Sequence, residues 1–486
     1  MQRAVADLTN RPGFTAPALR MTVQALTRCL GVDEPSATQR ALWLVIASGA
    51  GLAVGVAAAI SVTAVIAVAA ATALLVWVVP RPAVILTVLV ASVFVQVITV
   101  SGVTIARICG PIALLTVVVA LLRGKGVLRP AAPLGWAAAY ASWALASGLW
   151  SVHLGSTMTQ LGSLAIAISY MLAFATLLDN RREMNLVLYT VAFVAVAVGI
   201  FGIASQGRGG TNTGDPNFFA MVEIVALPLV LALAADVRAR SLRLGLYGVV
   251  LVIIAAVFWS LSRGGLIALG AVVLGVIALP SRTFFRSPSQ KLIVVLVLAV
   301  AVVGAYATTS HALTARVGEV FTAQGKTGSG RLNAWRGAYT SIRERPLKGL
   351  GFGSFEPSAN ELMLRTPGVD LSNFRLRPNG LFAHNAYIET LAELGIPGLA
   401  LFLGLLGSTA VAARRIATAA ERGGAVSVKR LANALLISLL GYAAASIFLS
   451  SETSRTIWIV IGLSLALPKL LEDEIARRAD RRIARP

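Results

Sequence analysis

The sequence predicts an all-α integral membrane protein, a bundle of about 12–14 transmembrane helices with one large outer loop that carries short helices. Hydrophobic residues make up 57% of the 486 positions and charged residues only 13%. Mean hydropathy is +0.80. A chain of this composition has too little polar surface to cover a soluble globule of its size, so lipid must solvate most of it.

The apolar runs are long enough to cross a bilayer, and they begin only after a polar amino-terminal segment. Residues 1–40 contain five arginines, so they predict a retained cytoplasmic tail rather than a cleaved signal. Predicted membrane helices follow at approximately 41–59, 61–79, 83–100, 108–122, 132–151, 160–178, 185–204, 218–235, 244–261, 264–279, 292–309, 391–413, 431–450 and 456–471.

The distribution of basic residues predicts which loops face the cytoplasm. With both termini inside, the short basic loops obey the positive-inside rule, and the basic tail 472–486 is cytoplasmic. The long loop at 310–390, which separates the predicted membrane regions 41–309 and 391–471, is exempt because loops of this size cross regardless of charge. It is the only predicted extramembrane segment large enough to build a site.

Charge and residue usage argue against several classes of function. The net charge is +21, but basic residues beside apolar runs usually set topology or meet lipid phosphates, and no nucleic-acid signature is present. Cys29 and Cys109 lie in a predicted tail and a predicted helix, which gives no disulfide framework. None of His153, His311 and His384 stands near a second ligand residue at metal-binding spacing. We therefore expect no nucleic acid, no bound metal and no cofactor.

Arg263 is the first candidate functional residue. It is the only charged residue within 244–279 and lies in the run 260–265, between two predicted helices. An ionisable group there is costly unless it faces a polar cavity. The alternative is a turn arginine that extends to the membrane surface. Gly264 and Gly265 favour the functional interpretation, because they allow another backbone or a phosphate to approach closely.

The segment 328–342 has the pattern of a short amphipathic helix in the outer loop. Its predicted apolar stripe, with an arginine on either side, consists of Leu332, Trp335, Tyr339 and Ile342 flanked by Arg331 and Arg336. A helix at the membrane interface would direct these guanidinium groups along the bilayer surface, where lipid phosphates lie. The alternative is a helix that Trp and Tyr merely anchor, with solvated arginines.

Three further segments contain candidate polar groups. His384 lies where the outer loop returns to the membrane, and a histidine can accept a proton near neutral pH, although a lone loop histidine is more often structural. The segment that begins at Arg208 ends in Asp215 and Asn217, a pattern typical of a helix cap. Glu223, two turns later, is a carboxylate in an apolar zone and needs a partner, for which Arg263 and Arg107 are the candidates.

These motifs, taken in order, resemble the O-antigen ligase/O-antigen polymerase (Wzy-like) superfamily of polytopic membrane glycosyltransferases. The resemblance covers approximately residues 205–413. No single motif is specific, but the ordered set is. Its members are Ser262–Gly265, Gly330–Arg331 with Trp335, the glycine-rich turn Pro346–Gly353, His384–Asn385 and Gly395–Gly398.

The resemblance implies metal-independent transfer of a glycan from a polyprenyl-diphosphate carrier to an acceptor hydroxyl, at the outer face of a bacterial cytoplasmic membrane. Arg263 and Arg331 would hold the diphosphate, and His384 would orient or deprotonate the acceptor with support from Asn385 and Glu389. Further substrate-binding candidates are Arg336, Arg208, Asp215, Asn217 and Glu223. The acceptor could be a glycan, a lipid or a protein, and membrane lipids are the remaining partners.

Alternatives remain open at this point. Ligases often show a threonine where this chain has Leu399, which leaves ligase and polymerase both possible, together with a protein O-oligosaccharyltransferase. Metal-dependent polyprenyl glycosyltransferases usually have acidic residues in their first outer loops, and the segment 101–107 has none. A transporter or lipid flippase could have as many helices, but the sequence shows neither repeated halves nor broken midplane helices.

Overall fold

The computed structural model describes residues 81–94, 99–100, 103–124, 126–204, 215–285, 287–292, 296, 329–369 and 380–483. The chain forms two compact units, Met1–Pro82 with Val118–Gly126 and Ala83–Val117 with Val127–Pro486. Nearly all of the first unit lies outside the described residues. The predicted tail 1–40, the predicted helices 41–59 and 61–79, most of 292–309, Arg208 and His311 lie outside them as well.

Thirteen α-helices and one small hairpin form within the described ranges. The hairpin pairs β1 (Thr99–Val100) with β2 (Val103–Thr104), in the register Thr99–Thr104 and Val100–Val103. The helices are α1 (Pro82–Phe94), α2 (Ile105–Leu122), α3 (Ala132–Ala146), α4 (Leu154–Leu177), α5 (Arg181–Ala204), α6 (Pro216–Asp236), α7 (Arg240–Trp259), α8 (Arg263–Ala278), α9 (Ser329–Glu344), α10 (Phe355–Arg365), α11 (Ala386–Arg422), α12 (Val426–Ala445) and α13 (Arg455–Ile483).

Seven of these helices are long and apolar enough to cross a membrane, counted over the described residues alone: α2, α4, α5, α6, α7, α11 and α12. Helices α1 and α8 are apolar but shorter. The predicted fold class, an all-α multi-pass membrane protein, is confirmed. The predicted total of about 12–14 membrane helices stays a prediction, because some of those segments are not described.

Three predicted helices differ clearly from the structure. The one predicted at 456–471 belongs to α13, which continues to Ile483. The segment predicted as a helix over 83–100 is helical only to Phe94, because the chain reverses through the hairpin that starts at Thr99. The segment predicted at 391–413 belongs to a longer helix, which is interrupted at Gly395, where φ is 67°. Pro397 follows, and its missing N–H removes a backbone hydrogen bond at the kink.

Helix α6 lies at the centre of the bundle and packs against α5, α7, α8 and α12. Nearly all of its residues from Phe219 to Ala235 are buried. Small residues allow close approach, since a Cβ added at Gly441 of α12 would lie 2.9 Å from Ile224. The Ser438 hydroxyl donates to the Val225 carbonyl at 2.7 Å. Such contacts stabilise helix pairs in lipid, where apolar burial alone gives little preference for protein over lipid.

The two ends of the bundle differ in chemistry. At one end, Asp236 forms ion pairs with Arg181 and Arg430, and Lys469 contacts Asp179 at 2.9 Å. Helices α4, α6, α8, α11 and α13 all begin at the opposite end, which we call the loop end because α9 and α10 lie there. The partial positive charges of these helix N-termini favour anions.

Candidate functional site

Helices α9 and α10 pack on the first turns of α11 and form a small apolar core at the loop end. Helix α9 contributes Ala334 and Ala338 to this core, and Trp335 packs beside them. Leu332 and Tyr339 of the predicted stripe are 48% and 60% exposed, so they lie outside this core, and contact of the stripe with the membrane interface stays a prediction. The small alanines allow α10 to approach more closely than a stripe of large side chains would.

The glycine-rich turn lies directly against α11. Gly351 N donates to the Glu393 carbonyl at 2.9 Å. A Cβ at Gly349, where φ is 66°, would lie 2.3 Å from the same carbonyl group, and one at Gly395 would lie 2.4 Å from the Leu347 carbonyl oxygen. Two glycine motifs that are far apart in the sequence therefore meet, and their glycines are needed for backbone contact.

The arginines predicted to hold a diphosphate are close enough for their charges to interact. Arg331 lies in the first turn of α9, and burial lowers the pKa of its guanidinium. The positive charge of Arg263 lowers this pKa further, while the negative charge of Asp215 acts in the opposite direction. One half-buried region at the loop end thus contains two guanidinium groups and one carboxylate.

A chain of hydrogen bonds connects the N-termini of α6 and α8 beside these arginines. The Asp215 carboxylate caps α6 by accepting from Asn217 N at 2.7 Å, and it also accepts from Asn217 Nδ2 at 3.1 Å. Ser262 Oγ donates to Asn217 Oδ1 at 2.7 Å. It also caps α8 by accepting from Gly265 N at 2.9 Å. Both helix ends are thereby fixed relative to each other.

The glycines after Arg263 serve helix packing. A Cβ at Gly264 would lie 2.5 Å from Phe448 Cβ, and one at Gly265 would lie 2.5 Å from Ala220 Cβ. The glycines were expected to allow close approach of another backbone or a phosphate, and in the structure neighbouring protein segments occupy the space beside them. Arg263 itself begins α8 and is half-buried.

His384 adopts a backbone conformation that is rare for a residue with a side chain. Its φ is 50°, and Leu261, just before the Ser262–Arg263 motif, has φ of 53°. Left-handed conformations of this kind cost about 1–3 kcal/mol and tend to occur at functional sites. Of the described residues other than glycine, only these two have positive φ.

The residues on both sides of His384 are held firmly. The Ala383 carbonyl accepts from Trp335 Nε1 at 2.8 Å, and Ala383 N donates to Glu389 Oε2 at 3.0 Å. Asn385 Oδ1 caps α11 by accepting from the backbone N–H groups of Tyr387 and Ile388, each at 3.0 Å. These contacts maintain the strained conformation, and they attach the His384 segment to α9 one turn from Arg331.

Comparison with known families gives one match. Residues 247–403 match the family model described as O-antigen ligase. This segment belongs to the O-antigen ligase family. It runs from α7 to the kinked part of α11, so it contains Arg263, Arg331, His384 and both glycine motifs. No curated protein matches the chain.

Arg336, which also lies within residues 247–403, is not in the same region as Arg331. Arg336 is exposed, donates to the Gly368 carbonyl and lines a separate cavity of about 750 Å³ with Tyr339 and Arg343. The two arginines are five positions apart on α9, which places them on different faces of the helix. Contact of Arg336 with substrate remains a prediction.

Glu223 lacks the arginine partner that was expected for it in the described part of the chain. It is fully buried, and neither carboxylate oxygen has a hydrogen-bond partner among the residues that the structure describes. The expected pairing of Glu223 with Arg263 or Arg107 is therefore wrong within that part of the chain. Asp215, the cap residue just before α6, is the carboxylate whose charge acts on Arg331. Sequence separation alone could not distinguish these two carboxylates.

Several polar residues of the O-antigen ligase segment and its neighbours were not anticipated. Glu393 accepts from Gly353 N at 2.8 Å and from Phe355 N at 3.1 Å, so it holds the start of α10 against α11. Gln160 Nε2 donates to Glu452 Oε1 at 3.3 Å. The sequence feature that could have pointed to these carboxylates is their rarity next to apolar runs, where they are costly unless partnered.

In the described ranges, no group of three or more His, Cys, Asp and Glu side chains is arranged to bind a metal ion.

Proposed function

We propose that this protein transfers a glycan from a polyprenyl-diphosphate carrier to an acceptor hydroxyl, at the outer face of a bacterial cytoplasmic membrane. O-antigen ligase-type glycan transfer follows from the family of residues 247–403. The observation that carries the finer proposal is that the interacting pair Arg263 and Arg331 and the segment of the strained His384 meet at α9 on the loop end.

The arginine pair has the chemistry of a diphosphate site. Two like charges in a half-buried region repel each other, and the negative charge of Asp215 acts against that repulsion at Arg331. A diphosphate adds further negative charge there, and guanidinium groups bind phosphate oxygens through paired hydrogen bonds. The N-termini of α6 and α8 lie in the same region and add favourable partial charges.

In the proposed reaction, the acceptor oxygen forms a bond to the anomeric carbon while the bond from that carbon to the phosphate oxygen breaks. His384 accepts the proton of the acceptor hydroxyl, which is worth about 10²–10⁴-fold in rate for a positioned general base. The polyprenyl diphosphate leaves with the bonding electron pair, and Arg263 and Arg331 stabilise its charge. Removing one such donor typically costs about 10²–10³-fold in kcat.

The proposal is tested by the lipid-linked glycan profile of a deletion strain complemented with wild type, His384→Asn or His153→Asn. Asparagine tolerates positive φ, so His384→Asn removes the imidazole without adding backbone strain. His153 precedes α4 at the cap position, where asparagine is favoured, so His153→Asn serves as the matched control.

We expect wild type and His153→Asn to restore the normal profile. In the strain with His384→Asn, the lipid-linked glycan donor should still accumulate. Accumulated single repeat units identify a polymerase, and long lipid-linked chains beside an unmodified acceptor identify a ligase. A deletion strain with an unchanged profile, or full complementation by His384→Asn, contradicts the proposal.

A further inference from the structure

A polar cavity lies at the loop end beside the segment that carries His384. Its volume is about 260 Å³, room for one sugar-sized group. The first turns of α4, the start of α10 and the first turns of α11 enclose it. Its described lining residues are Gly155, Ser156, Thr159, Gln160, Gly353, Glu356, Phe382, Glu389 and Glu393.

The lining combines acidic, hydroxyl and amide groups with one aromatic ring. Of the described lining residues, three are carboxylates and none is basic. Phe382 is 42% exposed, so part of its ring is free to contact a bound molecule. Its centroid lies 6.3 Å from that of the His384 imidazole. The cavity therefore opens beside the proposed base.

Glu389 has an unused acceptor at this cavity. The side chain is 3% exposed, and its Oε2 accepts from Ala383 N and from Ser450 Oγ. Its Oε1 has no hydrogen bond with any residue in the described ranges, although the side chain lines the cavity. A carboxylate oxygen at a cavity with no protein donor is available to accept a hydrogen bond from a ligand hydroxyl.

Glu356 is the second carboxylate with acceptors to spare. Its side chain makes no hydrogen bond or ion pair with a residue that the structure describes, and burial raises the pKa of its carboxyl. Glu393 differs, because both of its oxygens already accept backbone N–H groups of Gly353 and Phe355. Glu356 and Glu389 are thus the groups left to receive hydrogen bonds from a ligand.

We infer that this cavity is the subsite for the acceptor sugar, and that it takes a sugar without negative charge, with an amino sugar bound best. The inference rests on the proposed glycan transfer. Sugar hydroxyl groups donate to Glu356 and Glu389, and the amide of Gln160 and the hydroxyl of Thr159 supply further hydrogen bonds. An ammonium group favours the ionised form of these carboxyl groups and is attracted to it, while a carboxylate or phosphate on the ligand makes their ionisation more costly.

The basic region and the acidic cavity then separate the substrates by charge. The basic region around Arg263 and Arg331 binds the diphosphate of the donor, and the acidic cavity excludes it. The His384 segment connects the two, because Ala383 accepts from Trp335 on the helix that carries Arg331 and the imidazole lies beside Phe382 at the acidic cavity. An acceptor hydroxyl held in the acidic cavity is thereby presented to the imidazole and to the anomeric carbon of the donor.

Direct binding tests the inference without glycan transfer. The probes are the methyl glycosides of glucosamine, glucose and glucuronic acid, measured on the full-length protein in nanodiscs by saturation-transfer difference NMR. We expect the glucosamine derivative to bind more tightly than the glucose derivative, and the glucuronic acid derivative to bind at least tenfold more weakly than either. Failure of all three to bind, or tightest binding of the glucuronide, overturns the inference.

Variants localise the binding. Glu356→Gln and Phe382→Leu should weaken binding of the glucosamine derivative about tenfold or more, as loss of a hydrogen bond to a charged group or of ring contact does. Glu361→Gln is the matched control, because Glu361 lies on the same helix, is exposed and does not line the cavity. Equal weakening by Glu361→Gln, or none by Glu356→Gln and Phe382→Leu, places the sugar elsewhere and overturns the inference.

Kinetics separate this inference from the proposed function. With an active donor and acceptor, Glu356→Gln should raise the acceptor KM about tenfold and leave the donor KM unchanged. If wild type transfers glycan but Glu356→Gln has an unchanged acceptor KM, the subsite is wrong while the function stands. If the sugars bind as expected but the deletion strain has a normal glycan profile, the function is wrong while the binding cavity stands.

Discussion

His384 and its neighbours show how single residues determine this site. Hydrogen bonds of the two neighbouring residues maintain the left-handed backbone at His384. Ala383 accepts from Trp335 and donates to Glu389, and Asn385 caps α11. Such strain persists only where surrounding structure holds it, and it fixes the direction of the side chain. The imidazole is thereby oriented before any substrate binds.

This leads to a prediction about the choice of substitution. His384→Asn and His384→Ala should both lower transfer by about 10²–10⁴-fold, because both remove the base. Thermal unfolding of the purified protein should show His384→Asn to be at least as stable as His384→Ala, since asparagine adopts positive φ at less cost. A His384→Ala protein that is the more stable of the two would contradict the role of backbone strain.

Glu452 gives a pH-dependent prediction at the same scale. It lies between α12 and α13, is 2% exposed, and its Oε2 is buried without a hydrogen-bond partner in the described structure. Burial raises the pKa of its carboxyl above the usual value. The folded protein therefore holds this proton more tightly than the unfolded chain does, and stability falls as pH rises from about 4.3 through the raised pKa.

Glu452→Gln cannot ionise, so it should remove this slope. We expect its melting temperature to exceed that of wild type by more at pH 8 than at pH 5. Glu361→Gln, an exposed substitution, serves as the control and should follow the wild-type curve. Parallel curves for wild type and Glu452→Gln would show that the carboxyl does not titrate with folding.

At the scale of elements, the glycine motifs attach the α9–α10 segment to the membrane bundle. Gly349→Ala should prevent this attachment, because a Cβ there would lie 2.3 Å from the Glu393 backbone. Gly368→Ala is the matched control, since Gly368 also has positive φ, 76°, but no atom within 4 Å of the added Cβ. The control should cost only the conformational penalty, about 1–2 kcal/mol.

Limited proteolysis and transfer assays measure this difference. Gly349→Ala should expose the α9–α10 segment to protease and abolish transfer, whereas Gly368→Ala should keep both near wild type. Equal sensitivity of the two variants would mean that the close contact with α11 does not hold the segment in place.

The sequence predicted most elements but few of the contacts between them. Apolar runs located the described membrane helices within a few residues at most ends, because lipid solvation requires such runs. The sequence could not predict that Glu223 makes no hydrogen bond with Arg263. It also could not predict that alanines, and not Leu332 and Tyr339, form the face of α9 that packs on α10. It also could not bring Gln160, Glu356 and Glu389 together, since these lie on three separate helices and only tertiary packing makes them neighbours.

At the scale of the whole molecule, charge is divided between the ends of the bundle. Asp236 forms ion pairs with both Arg181 and Arg430 at one end, while the loop end has a basic region and an acidic cavity that the His384 segment connects. Helix N-termini gathered at the loop end favour anions there. A diphosphate in the basic region and a sugar in the acidic cavity would meet at the imidazole.

The most direct test of this account is the affinity of the purified protein in nanodiscs for undecaprenyl diphosphate, which requires no knowledge of the glycan. We expect Arg263→Gln and Arg331→Gln each to weaken binding about 10–100-fold, as the loss of a charged hydrogen-bond donor does. Arg343→Gln, on the separate cavity, should bind as wild type does. Equal affinities for all four proteins would contradict the account.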